Sequence, residues 1–342
     1  MKTLVWEGPR LMSMRERAEP ALEPGEIRIK VAYAGICGSE LSSYLGHNAL
    51  RTPPLIMGHE FSGEVVALGA EAPARNPALA QGQWVTVNPL TSCGVCEYCQ
   101  GGLNHLCLKR TLVGAHRPGA YAEYINVPAE LAVPLPAGML LRTGAMVEPV
   151  AVGVRIGEMA GPTVAGQEAL VIGAGPIGLL ALQAFQLRGA RRVFISDLSP
   201  ERLAMGADLG GEALDPQEVD VVQTVRQATG GRGVAVSVDA VGLAATRKQC
   251  VAATRSAGLL ILSGLHEETS AMPAAEIIRR EIVARGCFAY TPDNFREAVS
   301  CLAEGSMRLE PWVVEAPLAE GGGWFERLLE APGNVAKVLL TP

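Results

Sequence analysis

The sequence predicts an α/β protein with two domains, one mainly β and one built on a doubly wound parallel sheet. Up to about residue 145 the chain has the pattern of short strands between turns. From about residue 168, short apolar strands alternate with stretches of helical periodicity, which is typical of a parallel, doubly wound sheet. The tail after about residue 290 is too short to fold alone, so we expect it to return to the first domain.

Length and composition agree with two packed domains. The 342 residues are more than twice the roughly 150 expected of one domain. Hydrophobic residues make up 49% and charged residues 19%, which excludes a disordered chain. The net charge of −6 provides no general attraction for nucleic acid or an anionic membrane. The most apolar stretch, residues 169–182, is shorter than the roughly 20 residues of a spanning helix. The N-terminus lacks the pattern of a secretory signal, so we expect a cytoplasmic protein without a nucleic acid or membrane partner.

The predicted elements follow from hydrophobic periodicity and helix-capping residues. In the first part, β-branched and alternating residues predict strands at 27–34, 64–68 and 84–87. In the second part, short apolar runs predict strands at 169–172, 192–196, 234–238 and 259–263, each followed by a helix. The tail contains a predicted helix at 293–303, capped by Thr291 or Asp293, and a final segment at 337–340. The region 234–263 is a candidate edge for pairing with another subunit.

A dinucleotide-binding motif lies at the first strand-to-helix junction of the second part. Gly173, Gly175 and Gly178 form G-x-G-x-x-G directly after an apolar strand, with Pro176 at a position where a first-turn proline is tolerated. The motif predicts a tight turn, close approach of a pyrophosphate and close packing of helix on strand. Asp197 ends the next strand, where a carboxylate binds ribose hydroxyls and repels a 2′-phosphate, so the prediction is NAD rather than NADP. The alternative is a glycine-rich turn with an unrelated exposed aspartate.

Four cysteines lie within fifteen residues, with the spacing C-x2-C-x2-C-x7-C. They are Cys93, Cys96, Cys99 and Cys107. Four thiolates on a short loop are typical of a closed tetrahedral zinc site, which has no open position for substrate and is therefore structural. Two disulfides are the first alternative, disfavoured in a cytosolic chain, and an iron–sulfur cluster is the second.

Candidate ligands of a second metal are dispersed along the chain: Cys37, His59, Glu60 and Glu148. Their spacing alone does not unite them. Considered singly, Cys37 is more often a small buried apolar residue, and His59 a hydrogen-bonded histidine of a core.

These motifs together resemble the zinc-dependent medium-chain dehydrogenases over essentially the whole chain. Within that superfamily the sequence is most similar to the polyol branch, which includes sorbitol, butanediol, threonine and galactitol 1-phosphate dehydrogenases. The matching stretches are GHEFSGEV, VEPVAVG, GAGPIGLLA and KVLL. The resemblance implies a discontinuous GroES-like catalytic domain (1–145 and 291–342) with a structural zinc lobe (88–110), and a Rossmann NAD-binding domain (146–290). It also implies one catalytic and one structural zinc per chain, NAD as the second cofactor, and a homodimer or homotetramer.

For the catalytic site, the resemblance implies that Cys37, His59 and Glu60 are ligands or near-ligands of zinc, with Glu148 the remaining candidate. Glu60 binds either directly or through a water. Such a zinc, with an open position, is a Lewis acid that lets an alcohol lose its proton near neutral pH.

A proton relay is expected to begin at Ser39, two residues after the ligand cysteine. Unlike many relatives, the chain has Glu40 in place of aspartate, and Ser42 where some have a relay histidine. The proton therefore leaves either through a ribose hydroxyl and water or through His47. The alternative for Ser39 is a turn residue at the Gly38 corner.

The resemblance also implies contacts with the cofactor. Ile177 and Arg202 are expected near the adenosine, Gly264, Leu265 and Phe288 near the nicotinamide, and Lys337 near the pyrophosphate. Arg202 also softens the discrimination against NADP if it does not face the adenine. The alternatives are core packing for Ile177, Leu265 and Phe288, and a solvated charge for Lys337.

Two further features bear on the substrate and on the remaining thiols. Ala289 stands where sorbitol dehydrogenases tend to have an arginine, which argues against sorbitol itself. Cys250, Cys287 and Cys301 are isolated and are expected to be buried apolar residues.

The predicted function is zinc-dependent oxidation of a secondary alcohol by NAD, with a small-molecule alcohol or ketone as the only substrate. The preferred class is a polyol, sugar alcohol or sugar alcohol phosphate. Alternatives are L-threonine, butanediol or an aliphatic alcohol, and, from another class, a sensor that binds NAD and zinc without chemistry.

Overall fold

The computed structural model describes residues 1–342, which form two compact units. The first unit consists of Met1–Glu148, Thr291–Gly305 and Glu310–Pro342, and the second of Pro149–Tyr290 and Ser306–Leu309. Relative to the boundaries expected from the sequence, the first unit gains residues 146–148 and the second gains residues 306–309.

Short strands dominate the N-terminal part of the first unit. In chain order its elements are β1 (Lys2–Gly8), β2 (Leu11–Glu16), β3 (Glu26–Gly35), α1 (Gly38–Tyr44), β4 (Leu55–Ile56), β5 (Glu60–Leu68), α2 (Ala72–Arg75), β6 (Trp84–Val87), β7 (Leu90–Thr91), α3 (Glu97–Gln100), β8 (Thr111–Leu112), β9 (Tyr124–Pro128), β10 (Ala132–Pro134) and α4 (Leu141–Gly144). The 3₁₀ turns Asn104–Leu106 and Ala129–Leu131 complete it.

Strands and helices then alternate through the second unit. Its elements are α5 (Val147–Val164), β11 (Glu168–Ile172), α6 (Pro176–Leu187), β12 (Arg192–Ser196), α7 (Pro200–Asp208), β13 (Glu212–Leu214), α8 (Val221–Ala228), β14 (Val234–Asp239), α9 (Ala244–Ala253), β15 (Thr254–Leu262), α10 (Ala274–Arg279) and β16 (Val283–Gly286). The first two residues of α5 belong to the first unit, and the helix is broken at Gly161.

The tail returns to the first unit as α11 (Pro292–Ala303), β17 (Val313–Pro317), the 3₁₀ turn Leu318–Glu320, α12 (Gly321–Glu330) and β18 (Lys337–Thr341). Strand β18 pairs antiparallel with β3 and parallel with β17. Thr291 caps α11, because its hydroxyl accepts a hydrogen bond from the Asn294 amide.

A seven-stranded sheet organises the first unit, in the order β10-β6-β5-β3-β18-β17, with β9 also paired to β3. In β3 the side chains of Ile27, Ile29 and Val31 are buried at alternate positions, as the periodicity predicted. A smaller sheet has the order β2-β1-β4, and β7 pairs with β8.

The second unit contains a six-stranded parallel sheet in the order β13-β12-β11-β14-β15-β16. Every residue of β11 and β14 is buried, which explains their continuous apolar pattern. The predicted α/β class, with a GroES-like mainly β part and a Rossmann-type sheet, is confirmed.

The expected edge at 234–263 is wrong. β14 and β15 are internal strands, because β16 adds a further parallel strand beside β15. On this side of the sheet the edge strand is therefore β16, whose four residues are all exposed. Its sequence VARG contains no apolar run, so periodicity did not predict it. No helix in the structure combines the length and apolar character needed to cross a membrane.

The tail is held to the first unit by an aromatic cluster. Phe325 of α12 is fully buried, and its ring centroid lies 5.2 Å from that of Tyr44 and 6.2 Å from that of Tyr121. Replacing such a ring by a methyl group removes apolar burial and leaves a cavity.

We expect Phe325→Ala to lower the free energy of unfolding of the first unit by about 3–5 kcal/mol. All four tryptophans lie in the first unit, so their fluorescence during denaturant unfolding reports on it alone. Leu140→Ala is the matched control, because Leu140 is exposed in the same unit. Equal effects of the two substitutions would contradict the packing role of Phe325.

Candidate functional site

Three potential metal ligands converge at one end of β3 and β5. Cys37 follows β3 and immediately precedes α1, while His59 and Glu60 lie at the start of β5. The three ligand atoms, one from each residue, all lie within 4.8 Å of one another. Cys37 is partly exposed, whereas His59 and Glu60 are buried. The dispersed residues are thus brought together as a compact donor set of sulfur, nitrogen and oxygen.

A buried carboxylate behind this cluster orients the histidine. Oε1 of Glu40 accepts hydrogen bonds from the Gly58 amide at 2.8 Å and from Nδ1 of His59 at 2.9 Å. Oε2 accepts from the Cys37 amide at 3.1 Å and from the Tyr121 hydroxyl. Because Nδ1 donates to Glu40, Nε2 of His59 carries the lone pair that binds a metal.

These contacts dictate the protonation of the group. Burial by itself raises the pKa of Glu40, but His59, Arg51 and the Tyr121 hydroxyl outweigh it and lower that pKa to about 2. Burial lowers the pKa of His59, but Glu40 and Cys37 outweigh it and raise that pKa well above its usual range. The neighbouring anions thus make the site of His59 favourable for a cation.

Glu60 is paired with Lys337 in β18. Nζ of Lys337 lies 2.6 and 2.8 Å from the two oxygens of Glu60 and 2.9 Å from the carbonyl oxygen of Ile36. The carboxylate packs on Gly35, where a Cβ atom would lie 2.2 Å from Oε2 of Glu60. Burial lowers the pKa of Lys337, but Glu60, Cys37 and Glu148 outweigh it and raise that pKa.

The structure gives the Lys337 ammonium group a carboxylate partner, and its expected place near a pyrophosphate stays a prediction. Its side chain is 2% exposed, so it is not a solvated charge. The physical reason is that the buried carboxylate of Glu60 requires a counter-ion, which the last strand supplies.

Buried charges surround the donor set. Glu40, Glu60 and Glu148 are buried carboxylates, and Arg51 and Lys337 are buried cations. Cys37, His59 and Glu60 offer sulfur, nitrogen and oxygen donors, which are the ligand types of zinc, so the residues present fit that ion. Glu148 is not among the three clustered ligand residues, although its charge acts on Lys337.

Ser39 lies beside the cluster in the first turn of α1. Its hydroxyl donates to Sγ of Cys37 at 3.4 Å and accepts from Nη2 of Arg51 at 3.3 Å. The hydroxyl is therefore in contact with a predicted ligand, as a relay residue requires. His47, a predicted exit for the proton, is exposed.

The four cysteines of the lobe form a second cluster. The four sulfur atoms all lie within 4.8 Å of one another. The distance is 3.5 Å between the sulfurs of Cys96 and Cys99, and 4.0 Å between those of Cys93 and Cys99. All four cysteines are free, which excludes the two disulfides. Sulfurs bound at 2.3 Å around a tetrahedral zinc stand about 3.8 Å apart, so the spacing fits that ion.

Backbone amides favour the thiolates of Cys93 and Cys96, whereas burial and the neighbouring Cys96 raise the pKa of Cys99 to about 11. The amides of Val95 and Cys96 lower the pKa of Cys93 to about 6, and the amide of Cys99 lowers the pKa of Cys96. The amides of Cys93 and Lys109 both donate to Sγ of Cys107 at 3.3 Å. These N–H···S bonds prepare the sulfurs to bind a cation.

In the second unit, the glycine motif makes the close contacts that its sequence pattern predicts. Gly173, with φ of +98°, ends β11, and a Cβ on Gly178 would lie 1.7 Å from the carbonyl oxygen of Gly173. Only glycine fits at position 178, because the first turn of α6 packs directly on the loop. A Cβ on Gly175 would meet no atom within 4 Å, so space is open there for a phosphate at the helix N-terminus.

Asp197 is positioned by the same loop. Oδ2 accepts a hydrogen bond from the Ala174 amide at 2.7 Å, and Oδ1 accepts from the Ser199 amide at 2.9 Å. The carboxylate is half-buried, and each oxygen retains a lone pair for a ribose hydroxyl. The charge therefore stands beside the glycine loop.

The other predicted cofactor residues differ in exposure. Pro176 and Ile177 are half-buried at the start of α6, and Arg202 is half-buried in α7 with its Nε atom buried and unpaired. Leu265 is 80% exposed and Phe288 42% exposed, which excludes core packing for both.

Gly264 and the isolated thiols complete the predicted set. A Cβ on Gly264 would lie 2.2 Å from the Gly242 amide nitrogen, so two loops meet there. Cys250 and Cys287 are buried as expected, but Cys301 is partly exposed, because α11 turns its position toward the surface.

Sequence reasoning missed how Glu40, Tyr121 and Arg51 contribute to the site. Glu40 was noted only as a departure from aspartate, yet it orients His59. The available signal for Arg51 was a single cation in a loop that leads into the apolar LIMGHE segment. Tyr121 gave no signal, because its contact depends on a chain separation of 81 residues.

Comparison with protein families supports this geometry. Residues 23–137 match the model of the alcohol dehydrogenase GroES-like domain, and residues 176–304 match that of zinc-binding dehydrogenases. The family descriptions resolve the choice between zinc and an iron–sulfur cluster in favour of zinc.

Similar proteins span the whole chain. It is 32% identical to (R,R)-butanediol dehydrogenase of Bacillus subtilis over 100% of both chains. It is 34% identical to sorbitol dehydrogenase of Halalkalibacterium halodurans, over 100% of this chain and 99% of that one. A crystal structure from Sinorhizobium meliloti 1021, bound to NADP, matches with a TM-score of 0.91 and 30% identity, covering 100% of this chain and 99% of that chain. The chain therefore belongs to the zinc-dependent medium-chain dehydrogenases, in the branch of alcohol and polyol dehydrogenases.

Proposed function

We propose that the protein oxidises a secondary hydroxyl of a polyol, sugar alcohol or sugar alcohol phosphate to a ketone, with NAD as the hydride acceptor and release of one proton. The observation that carries this proposal is the cluster of Cys37, His59 and Glu60 with the Ser39 hydroxyl in contact with it. A cluster that served only structure would have no need of an adjacent hydroxyl.

In this proposal Cys37 and His59 hold the catalytic zinc, with Glu60 binding directly or through a water and Glu148 as a further candidate. The metal supplies a Lewis acid that acidifies the substrate alcohol. Ser39 accepts the proton that the alcohol loses and passes its own hydroxyl proton on, either through a ribose hydroxyl and water or through His47. Glu40 holds His59 in the tautomer that binds zinc. The four cysteines of the lobe hold the structural zinc.

The cofactor is held by the second unit. The open space at Gly175 and the N-terminus of α6 receive the pyrophosphate, and Asp197 receives the ribose hydroxyls. Ile177 and Arg202 lie on the adenosine side in this proposal. The exposed apolar side chains of Leu265 and Phe288, with Gly264, lie on the nicotinamide side. Lys337 stays a further candidate for the pyrophosphate, although its ammonium group also binds Glu60.

One observation favours a polyol, and a second argues against sorbitol itself. The substrates for which the two relatives are named, butanediol and sorbitol, both carry neighbouring hydroxyl groups. At the position where sorbitol dehydrogenases tend to have arginine, Ala289 adopts a left-handed backbone with φ of +48° and leaves that polar group out. A substrate other than sorbitol itself is therefore preferred.

The first test is NADH formation by zinc-replete protein with a panel of alcohols. We expect the highest kcat/KM among free or phosphorylated polyols. A preference for L-threonine or simple aliphatic alcohols would keep the chemistry and overturn the substrate class. Tight NAD binding without turnover of any member would favour a sensor and overturn the proposed reaction.

Removal of the thiol ligand separates the two zinc sites. We expect Cys37→Ala to bind one zinc per chain instead of two and to lose activity by at least about 10³-fold, because the Lewis acid is lost. Zinc content by atomic emission and NADH formation are the readouts. Cys301→Ala is the matched control, since Cys301 is partly exposed and belongs to neither cluster. Full activity in Cys37→Ala would exclude the assigned site.

The charge at Asp197 is expected to set coenzyme preference. Asp197→Asn keeps an oxygen for one of the two backbone amides but removes the negative charge that repels a 2′-phosphate. We expect the ratio of kcat/KM with NADP to that with NAD to rise by about tenfold or more, corresponding to about 1.4 kcal/mol. Asp215→Asn is the control, because Asp215 likewise accepts from a backbone amide two residues later. An unchanged ratio would argue against Asp197 as the ribose ligand.

A homodimer or homotetramer is also part of the proposal. The exposed edge strand β16 leaves hydrogen-bonding groups that a second copy can pair. Sedimentation should therefore show an oligomer, and Val283→Lys, at an exposed position of this edge, should weaken it. A monomer in the unaltered protein would contradict this part.

A further inference from the structure

Arg51 is a buried cation whose guanidinium group reaches the proposed relay residue. It lies in the loop between α1 and β4 and is 3% exposed. A buried guanidinium is retained only where its donors find acceptors, because desolvation of an unpaired charge costs several kcal/mol. The contacts of each nitrogen therefore indicate what Arg51 does.

The guanidinium group joins three segments of the first unit. Nε donates to the carbonyl oxygen of Gly114 at 2.9 Å. Nη1 donates to the carbonyl oxygen of Ser39 and to the hydroxyl of Ser43, both at 3.2 Å. Nη2 lies 3.3 Å from the Ser39 hydroxyl and 3.4 Å from Nδ1 of His59. The planar fork thus holds both the main chain and the side chain of Ser39.

Only one of the two Nη2 contacts is a hydrogen bond. Nδ1 of His59 already donates its proton to Glu40, and a guanidinium group has no acceptor. The acceptor for Nη2 is therefore the hydroxyl oxygen of Ser39. Glu40 and Arg51 consequently fix His59 and Ser39 as two separate hydrogen-bonded pairs.

The bond from Arg51 also decides where the Ser39 hydroxyl proton points. With one lone pair of the oxygen occupied by Nη2, the hydroxyl proton is directed away from Arg51, toward Sγ of Cys37. The second lone pair stays available to a substrate hydroxyl. Because arginine remains protonated in proteins, it cannot accept the proton that reaches Ser39. Proton transfer from Ser39 toward Arg51 is therefore excluded.

We propose that Arg51 is a positioning residue of the dehydrogenase reaction: its Nη2 group holds the Ser39 oxygen beside Cys37 with one lone pair free for the substrate proton. As that proton arrives, Ser39 releases its own hydroxyl proton, either to a ribose hydroxyl and water or toward His47. The proposal rests on the proposed function for its catalytic consequence. The orientation of Ser39 itself does not depend on turnover, so the two are tested separately.

The orientation is tested in protein whose catalytic zinc is replaced by cobalt(II). A hydrogen bond to a metal-bound thiolate changes the energy of the sulfur-to-cobalt absorption band. We expect Ser39→Ala to shift this band and Arg51→Lys to shift it in the same direction. Lysine keeps the buried positive charge, but its single ammonium group cannot make all the hydrogen bonds of the planar guanidinium group. The double variant should show the shift of Ser39→Ala and no more.

The kinetic test uses the same variants with the best alcohol of the panel. Ser39→Ala is expected to lower kcat by about 10²-fold or more, within the range of positioned proton transfer. Arg51→Lys is expected to lower kcat about tenfold with less than a threefold change in KM for NAD. In the Ser39→Ala background, Arg51→Lys should cost less than twofold, because it acts through the missing hydroxyl.

Arg28→Lys is the matched control. Arg28 makes hydrogen bonds to Glu19, Asn126 and the carbonyl of Pro20 in the same unit, and none to a residue of the site. It should leave the band and kcat unchanged. Zinc content should stay at two per chain in Arg51→Lys, and Arg51→Gln, which retains donors without the charge, serves as a second variant if Arg51→Lys does not fold.

Two outcomes would overturn the proposal. One is a cobalt band in Arg51→Lys that equals that of the unaltered protein. The other is a set of independent effects, with shifts and losses in the double variant equal to those of the single variants combined. If the unaltered protein turns over no alcohol, the proposed function fails, while the absorption band still decides the role of Arg51.

Discussion

The candidate catalytic site depends on the buried carboxylate of Glu40. Its two oxygens accept from the amides of Cys37 and Gly58, from Nδ1 of His59 and from the hydroxyl of Tyr121. One side chain thereby joins the start of α1, the loop before β5 and the segment that carries Tyr121. Because all four acceptor positions are used, the carboxylate cannot rotate without leaving a buried donor unpaired, which is costly.

The arrangement of charge around that carboxylate follows from the cost of burial. Arg51 compensates Glu40, and Lys337 compensates Glu60, so each of these two buried anions has a cation from another element. Two elements that look unrelated in sequence, the loop before β4 and the last strand, therefore belong to the same metal site. Stability and metal affinity are coupled here, since removing either cation leaves a buried anion without its partner.

In the second unit, the predicted cofactor site is formed by residues that are close in sequence. The glycines at 173 and 178 permit a turn in which α6 packs against the end of β11, and this requires only residues close in sequence. Asp197 is then fixed by an amide of the same loop, through the parallel pairing of β11 and β12. Cofactor recognition is thus encoded by a short motif plus one neighbouring strand, whereas the metal site draws on residues from 37 to 337.

The sequence by itself determined the fold class, the lobe of four cysteines and the nucleotide motif. Each of these rests on short-range spacing: alternating burial in β3, thiols separated by two or seven intervening residues, and glycines in one turn. Tertiary structure alone decided what long-range packing controls. It paired Lys337 with Glu60, made Glu40 the partner of His59, and set one sheet edge at β16. The physical reason is that a buried charge takes whichever partner the fold brings within hydrogen-bonding distance, and sequence spacing carries no record of that choice.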